Sequence, residues 1–287
     1  MSASLSPAPT TASAPALRLV ADASLAPEVL EQARPTLVRG GLPLLARDAR
    51  GGSRELYLFD GRLGPSHAPL LNRSEPALLL ASRAPDGSPS AWEVRVLAAL
   101  LRDEPLIPPE AAVAKLWLEQ VDDLQAASSE AAALAEASGG SRTLSGLVAE
   151  VMHELAANAL LDAPVDEQGK ELYAYRRDSV RAVAPEHVCQ VSFAVGEGGV
   201  YVEAVDLFGR LEPGPLARAV GSLGGRMQVD SSGGGAGLGM RRIVEACELV
   251  AVRVVPGRET RMLGVVGFGT ARRRAALPKS LLYFKSE

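Results

Sequence analysis

Glu154, Asn158 and Asp162 recur every four residues in the run Val151-Met152-His153-Glu154-Leu155-Ala156-Ala157-Asn158-Ala159-Leu160-Leu161-Asp162. On a helix that spacing puts all three polar groups on one face. Leu147, Val151, Leu155 and Ala159 form an apolar stripe beside them. Asparagine is a poor residue for a helix interior, so its presence asks for a hydrogen bond or a metal ion. A carboxylate one turn earlier supplies a candidate general base. A solvated polar face explains the same pattern equally well.

Downstream, Ser231-Ser232-Gly233-Gly234-Gly235-Ala236-Gly237-Leu238-Gly239 holds five glycines within seven residues. It runs straight into helical apolar spacing at Leu238, Ile243, Val244 and Cys247. Backbone N–H groups left bare beside a helix N-terminus suit an anion, phosphate above all. A flexible turn before an ordinary helix is the alternative. Between the two segments, Val200 to Arg210 alternates like a strand and ends in Asp206 and the turn residue Gly209. An acid there can accept a hydrogen bond from a ligand, or simply end the strand.

The order of these parts resembles the GHKL superfamily: histidine-kinase ATPase domains, RsbW-like anti-sigma factor kinases and gyrase-type ATPases. The resemblance covers residues 140 to 270. His153 to Asp162 resembles the N-box, Asp206 to Gly209 the G1 box and Gly233 to Gly239 the G2 box. Leu249 to Val255 and Arg261 to Phe268, on either side of Pro256 to Thr260, resemble the closing hairpin. The resemblance implies a Bergerat-type α/β sandwich, a mixed sheet with helices on one face, that binds ATP with Mg²⁺. It implies that Asn158 coordinates Mg²⁺, an oxygen-seeking ion. It makes Glu154 the general base and Asp206 the acceptor for the exocyclic amine of adenine. Gly233, Gly234, Gly235, Gly237, Leu238 and Gly239 become the lid over the phosphates. Asp162, Gly209 and Thr260 complete the implied nucleotide site.

Two departures stand out. The G1 pattern Asp-x-Gly-x-Gly reads here Asp206-Leu207-Phe208-Gly209-Arg210. Phe208 therefore either narrows the adenine pocket or packs beneath it. Pro164 ends the N-box helix early. Lys170, Tyr173, Arg176 and Arg177 follow in a polar stretch that reads as a solvated loop face, or as groups reaching for a phosphate.

The chain has 287 residues, 47% of them hydrophobic, and a net charge of −4. That supports a real core and leaves no basic footprint for nucleic acid. The one basic cluster, Arg272-Arg273-Arg274, reads as a solvated end. Cys189 and Cys247 lie in apolar surroundings and read as small core residues of a reducing compartment. His67, His153 and His187 are too scattered for a metal cluster. Met1 to Pro15 is rich in Ser, Ala, Pro and Thr and reads as a disordered tail rather than a signal peptide. No apolar run reaches the roughly 18 residues of a membrane span, so a cytoplasmic location is expected. The Ala/Leu/Arg/Gly-rich composition suits a high-GC bacterium.

Residues 16 to 105 read as a separate small α/β unit. Short apolar runs at 17–21, 42–46, 55–59 and 77–81 read as strands, and 26–38 and 90–102 as helices. This part faintly resembles a response-regulator receiver, with Asp22 after the first strand and Asp60 after the third. The gap from Ala46 to Glu55 is too short for a crossover helix, so those two runs are expected to form a hairpin. A degenerate, receiver-like interaction domain follows from that reading. Residues 106–140 are expected as a helical linker, bounded by Pro105, Pro108 and Pro109 and broken at Gly139-Gly140. The ATP-binding domain would span 141–272, and 273–287 would be a tail.

No histidine lies between His67 and His153, which removes the phospho-acceptor that a sensor kinase needs. The expectation is an ATP-binding bacterial signalling regulator acting on a protein partner, as a nucleotide-gated switch or a Ser/Thr kinase, with a homodimer allowed. The alternative is a non-enzymatic scaffold with a degenerate pocket.

Overall fold

A computed structural model describes residues 15–46, 54–225, 236–269 and 277–286. The chain opens with β1 (Leu17–Ala21), α1 (Val29–Arg39), β2 (Arg54–Phe59), the short α2 (Ala68–Leu71), β3 (Leu78–Ala81) and α3 (Ala91–Leu101). Next come β4 (Ala114–Leu118), α4 (Asp122–Ala137), α5 (Arg142–Ala157), β5 (Cys189–Gly196) and β6 (Gly199–Asp206). The chain closes with α6 (Gly214–Gly221), α7 (Ala236–Ala246), β7 (Leu249–Val255), β8 (Glu259–Val266) and β9 (Ser280–Lys285). The described strands form one mixed sheet of nine, in the order β1-β2-β3-β9-β7-β8-β6-β5-β4. The fold is α/β. β1, β2 and β3 run parallel, β9 pairs antiparallel with β3 and parallel with β7, and the remaining pairs are antiparallel.

Strand sequence explains why the sheet is covered on both faces. β7 and β9 are nearly unbroken apolar runs, the pattern of a strand buried on both sides. Val250, Val252, Leu281 and Tyr283 enter one core, which α4, α5, α6 and α7 cover. Leu249, Ala251, Leu282 and Phe284 enter the other, which α1 and α3 cover. α4, α5, α6 and α7 thus share one face with the short α2. The opposite face is closed by α1 and α3.

Several sequence expectations are corrected here. The stretch expected as a tail holds β9, which lies inside the sheet between β3 and β7. The stretch 106–140 is not wholly helical, because β4 pairs with β5 along the sheet edge before α4 begins. Residues 16–105 are not separate, since β3 bonds β9 and α3 packs beneath β7 and β9. The 42–46 and 55–59 runs make no hairpin. α1 is the crossover between parallel β1 and β2, while Leu44 makes only an isolated parallel bridge to Leu17. Asp60 therefore follows the second strand, not the third.

A buried ionic cluster joins the two halves of the sheet. Glu93 on α3 is fully buried. Its carboxylate accepts from Arg83 Nε at 2.7 Å and from Ser280 Oγ of β9 at 2.6 Å. Arg83 Nη1 also donates to Glu248, just before β7, at 3.0 Å. Burial pushes the Cys189 thiol up to about 12, in keeping with an inert core residue. The helical run Arg142–Asp162 is long and apolar enough to cross a membrane, but 61% of its apolar window is buried inside the fold.

Candidate functional site

The site is built on α5. Gly139, at φ +83°, closes the preceding turn, and Ser141 Oγ caps the helix by accepting from Leu144 N at 3.2 Å. Leu144, Val148, Val151, Met152 and Leu155 bury one side of α5 against the sheet. The helix then widens into a single π turn over Asn158–Asp162, where Ala163 N donates to Asn158 O at 2.9 Å. Such turns are rare and gather at functional sites. Pro164 follows and stops the helix, as its sequence position predicts.

A cavity of about 320 Å³ opens beside this turn, at the lower end of the range for small-molecule sites. Asn158 and Asp162 line it from the π turn, and Asp206 and Thr260 from the ends of β6 and β8. Asp206 and Thr260 are direct partners across the β6–β8 ladder, and both are buried. Met240 of α7, one turn from that helix's start, also lines the cavity.

The polar groups are arranged unevenly. Asn158 Nδ2 is buried without a hydrogen-bond partner, and so is Thr260 Oγ1. Buried polar atoms of this kind need an explanation such as a ligand or an ion. Asp206 Oδ1 accepts from the backbone N–H of Phe208 at 2.9 Å and of Gly209 at 3.3 Å. Burial pushes the Asp206 carboxyl above the usual range, outweighing those two donors and the nearby Thr260. Thr260 thus favours the charged carboxylate by proximity, although its hydroxyl has no hydrogen bond of good geometry. Burial likewise raises Asp162, against the pull of Arg177, which grips both of its oxygens.

The loop after α5 forms a flap. Val165 and Glu171 pair across it, and the Asp166 carboxylate accepts from the N–H groups of Gln168 and Lys170 at 2.9 Å each. Gly169, at φ +80°, packs under the Arg210 guanidinium, and both residues line the cavity. Tyr173 is not on a solvated face as expected. It is buried, and its hydroxyl shares a 2.8 Å hydrogen bond with His187 Nδ1.

The structure brings Asn158, Asp162, Asp206 and Thr260 together and leaves other predicted site residues outside the lining. Glu154 lies one turn away, its Oε1 bonded to Arg242 of α7 at 2.7 Å. Gly239 packs directly against it. A Cβ at Gly239 would stand 2.3 Å from Glu154 Oε2. Gly237 and Leu238 fall in the first turn of α7. Gly209 is structural rather than ligand-facing. It sits at φ +59°, where a Cβ would meet Val255 O at 2.0 Å. Phe208 does not narrow the cavity. Its ring lies against His187, with centroids 5.5 Å apart, and it is not among the lining residues. Gly233, Gly234 and Gly235 lie outside the described residues.

Sequence reasoning missed Met262, Glu171, Arg210 and Glu212, all of which line the cavity. Met262 was findable, because strand alternation puts it on the same face as Thr260. The other three sit on loops or at an element's edge and carried no such signal.

Among the described residues, no three His, Cys, Asp or Glu side chains cluster closely enough to hold a metal ion. An ion bound here would rely on Asn158 and on oxygens brought by a ligand. The atom of Asn158 without a partner is Nδ2, a donor, so the amide would have to turn over to offer its oxygen to such an ion. No protein-family model matches this chain, and no curated protein is significantly similar to it in sequence.

Proposed function

We propose that the cavity beside α5 binds an adenine nucleotide with Mg²⁺, in a GHKL-like domain of Bergerat type. The observation that carries this reading is the convergence of four polar residues, distant in sequence, on one cavity: Asn158, Asp162, Asp206 and Thr260. Two of them bring buried polar atoms without partners. Asp206 and Thr260 form the base-recognising end, where a carboxylate accepts from the amine of adenine. Asn158 offers its amide oxygen to Mg²⁺, which when bound neutralises charge on the nucleotide phosphates. A half-turn of the amide about its Cβ–Cγ bond presents that oxygen.

The protein acts on this reading as a signalling regulator whose affinity for a protein partner depends on the bound nucleotide, with phosphate transfer to a partner Ser or Thr as the enzymatic form. The N-terminal strands and helices contribute a receiver-like interaction surface, on which Asp22 and Asp60 follow the parallel strands β1 and β2.

A second reading, a scaffold that no longer uses nucleotide, draws on the carboxylates of the lining. Asp162, Glu171, Asp206 and Glu212 surround the cavity and oppose a polyanion. Thermal unfolding with and without Mg-ATP separates the two. A ligand that binds only the folded protein raises its melting temperature. A rise that requires Mg²⁺ is expected, and no shift at millimolar Mg-ATP favours the scaffold.

A further inference from the structure

We propose that Arg242 is a positioning residue that holds Glu154 against α7, away from the cavity, and thereby keeps hydrolysis of the bound nucleotide slow. The inference rests on the nucleotide reading of the cavity and adds to it a control element outside the lining.

Glu154 is the carboxylate nearest Asn158 along α5, so it is the candidate base for the site. Yet both of its oxygens face α7. Oε1 accepts from Arg242 Nη1 at 2.7 Å, and Oε2 lies where any side chain at Gly239 would collide with it. Glycine at 239 is therefore what lets the carboxylate lie flat on α7. Arg242 Nε also approaches Glu150 Oε1 at 3.5 Å. Glu150 and Glu154 are one turn apart on α5, a like-charge pair that is unfavourable alone. Arg242 bridges both and draws Glu154 toward α7.

The geometry matters because hydrolysis needs the carboxylate free. Glu154 would take a proton from a water as the water oxygen bonds to the γ-phosphorus. The bond from that phosphorus to the β,γ-bridging oxygen breaks, and its electron pair leaves with ADP. The proton then passes from Glu154 to solvent. A carboxylate whose Oε1 is occupied by Arg242 and whose Oε2 lies on Gly239 is turned away from that water.

The test uses the full chain. Arg242→Gln removes the charge, Arg242→Lys keeps it, and each is combined with Glu154→Gln. Three readouts are taken: melting of the ligand-free proteins, Mg-ATP affinity by calorimetry, and phosphate release. In the ligand-free protein, Arg242→Gln and Glu154→Gln should be non-additive, as expected for a direct pair. Arg242→Gln should leave Mg-ATP affinity near that of the parent and raise phosphate release by about tenfold or more, the ceiling being the roughly 10²–10⁴-fold that a general base contributes. Glu154→Gln should cancel the rise, and Arg242→Lys should keep release low. Unchanged or slower release in Arg242→Gln with Mg-ATP still bound overturns the inference alone. A gain that survives Glu154→Gln, or additive melting shifts, also overturns it. Absence of Mg-ATP binding by the parent overturns the nucleotide reading and this inference together.

Discussion

Asp206 and Thr260 face each other across β6 and β8, both buried, and both line the cavity. Burial holds the Asp206 carboxyl above its usual range. An acid that binds its proton more tightly folded than unfolded adds most stability at low pH. That contribution fades as pH rises from the unfolded value near 3.9 through the higher folded one. Asp162 and Glu203 are raised by burial as well and act in the same direction. The ligand-free protein should therefore lose stability as pH rises across the upper carboxyl range.

Asp206→Asn keeps an acceptor for the N–H groups of Phe208 and Gly209 while removing a buried charge. It should flatten part of that pH dependence and stabilise the ligand-free protein at pH 7 by about 1 kcal/mol, the order of cost of an imperfectly compensated buried polar group. Denaturant unfolding across pH measures both effects. Adenine nucleotide affinity should fall in the same variant, because the acceptor for the exocyclic amine is lost.

Asn158→Ala removes a buried amide nitrogen that has no partner. The ligand-free fold should persist and gain up to about 1 kcal/mol, since the deleted group contributes desolvation cost without a bond. Mg²⁺-dependent nucleotide binding should vanish. Circular dichroism and calorimetry check the two halves, and unfolding of the variant would mark Asn158 as structural.

Phe208→Gly restores the glycine of the usual G1 pattern, yet it should not improve nucleotide affinity, because Phe208 packs on His187 outside the cavity. It should instead destabilise the protein by about 1–3 kcal/mol through lost ring burial and a freer backbone. Gly209→Ala should be similarly harmful, since it combines strain at φ +59° with a collision against Val255 O.

These two neighbours show how far the sequence could be read. Periodicity located α5 and β6, because each carries a helical or alternating pattern along its own length, whereas the β7–β8 hairpin was expected only from the resemblance. The spacing of Glu154, Asn158 and Asp162 likewise marked one face of one helix. Whether Phe208 enters or leaves the cavity depended on His187, a residue about twenty positions away whose placement follows from the whole sheet. β9 was missed for a related reason. Leu281 to Phe284 is a short apolar run, and only its pairing with β7 and β3 makes it a central strand. Arg242 gave no local sign of its bond to Glu154, since the two lie on different helices.

Glu93 offers a test of whether the N-terminal elements fold with the rest. Glu93→Ala leaves the partly buried Arg83 with Glu248 as its remaining ionic partner, and losing such buried charge-assisted hydrogen bonds typically costs about 1–3 kcal/mol. Because Glu93 also accepts from Ser280 on β9, the loss should be felt throughout the sheet. Denaturant unfolding should remain a single transition with a lower midpoint in the variant. Two separated transitions in the parent would contradict a shared sheet core.

Isothermal calorimetry of the parent protein with ATP and with GTP, each with and without Mg²⁺, reads nucleotide binding by the cavity directly. Saturable binding of ATP that weakens without Mg²⁺, much weaker binding of GTP, and loss of the ATP signal in Asp206→Asn are expected. No measurable binding of ATP at millimolar concentration, or equal binding of ATP and GTP, would contradict the nucleotide reading of the cavity.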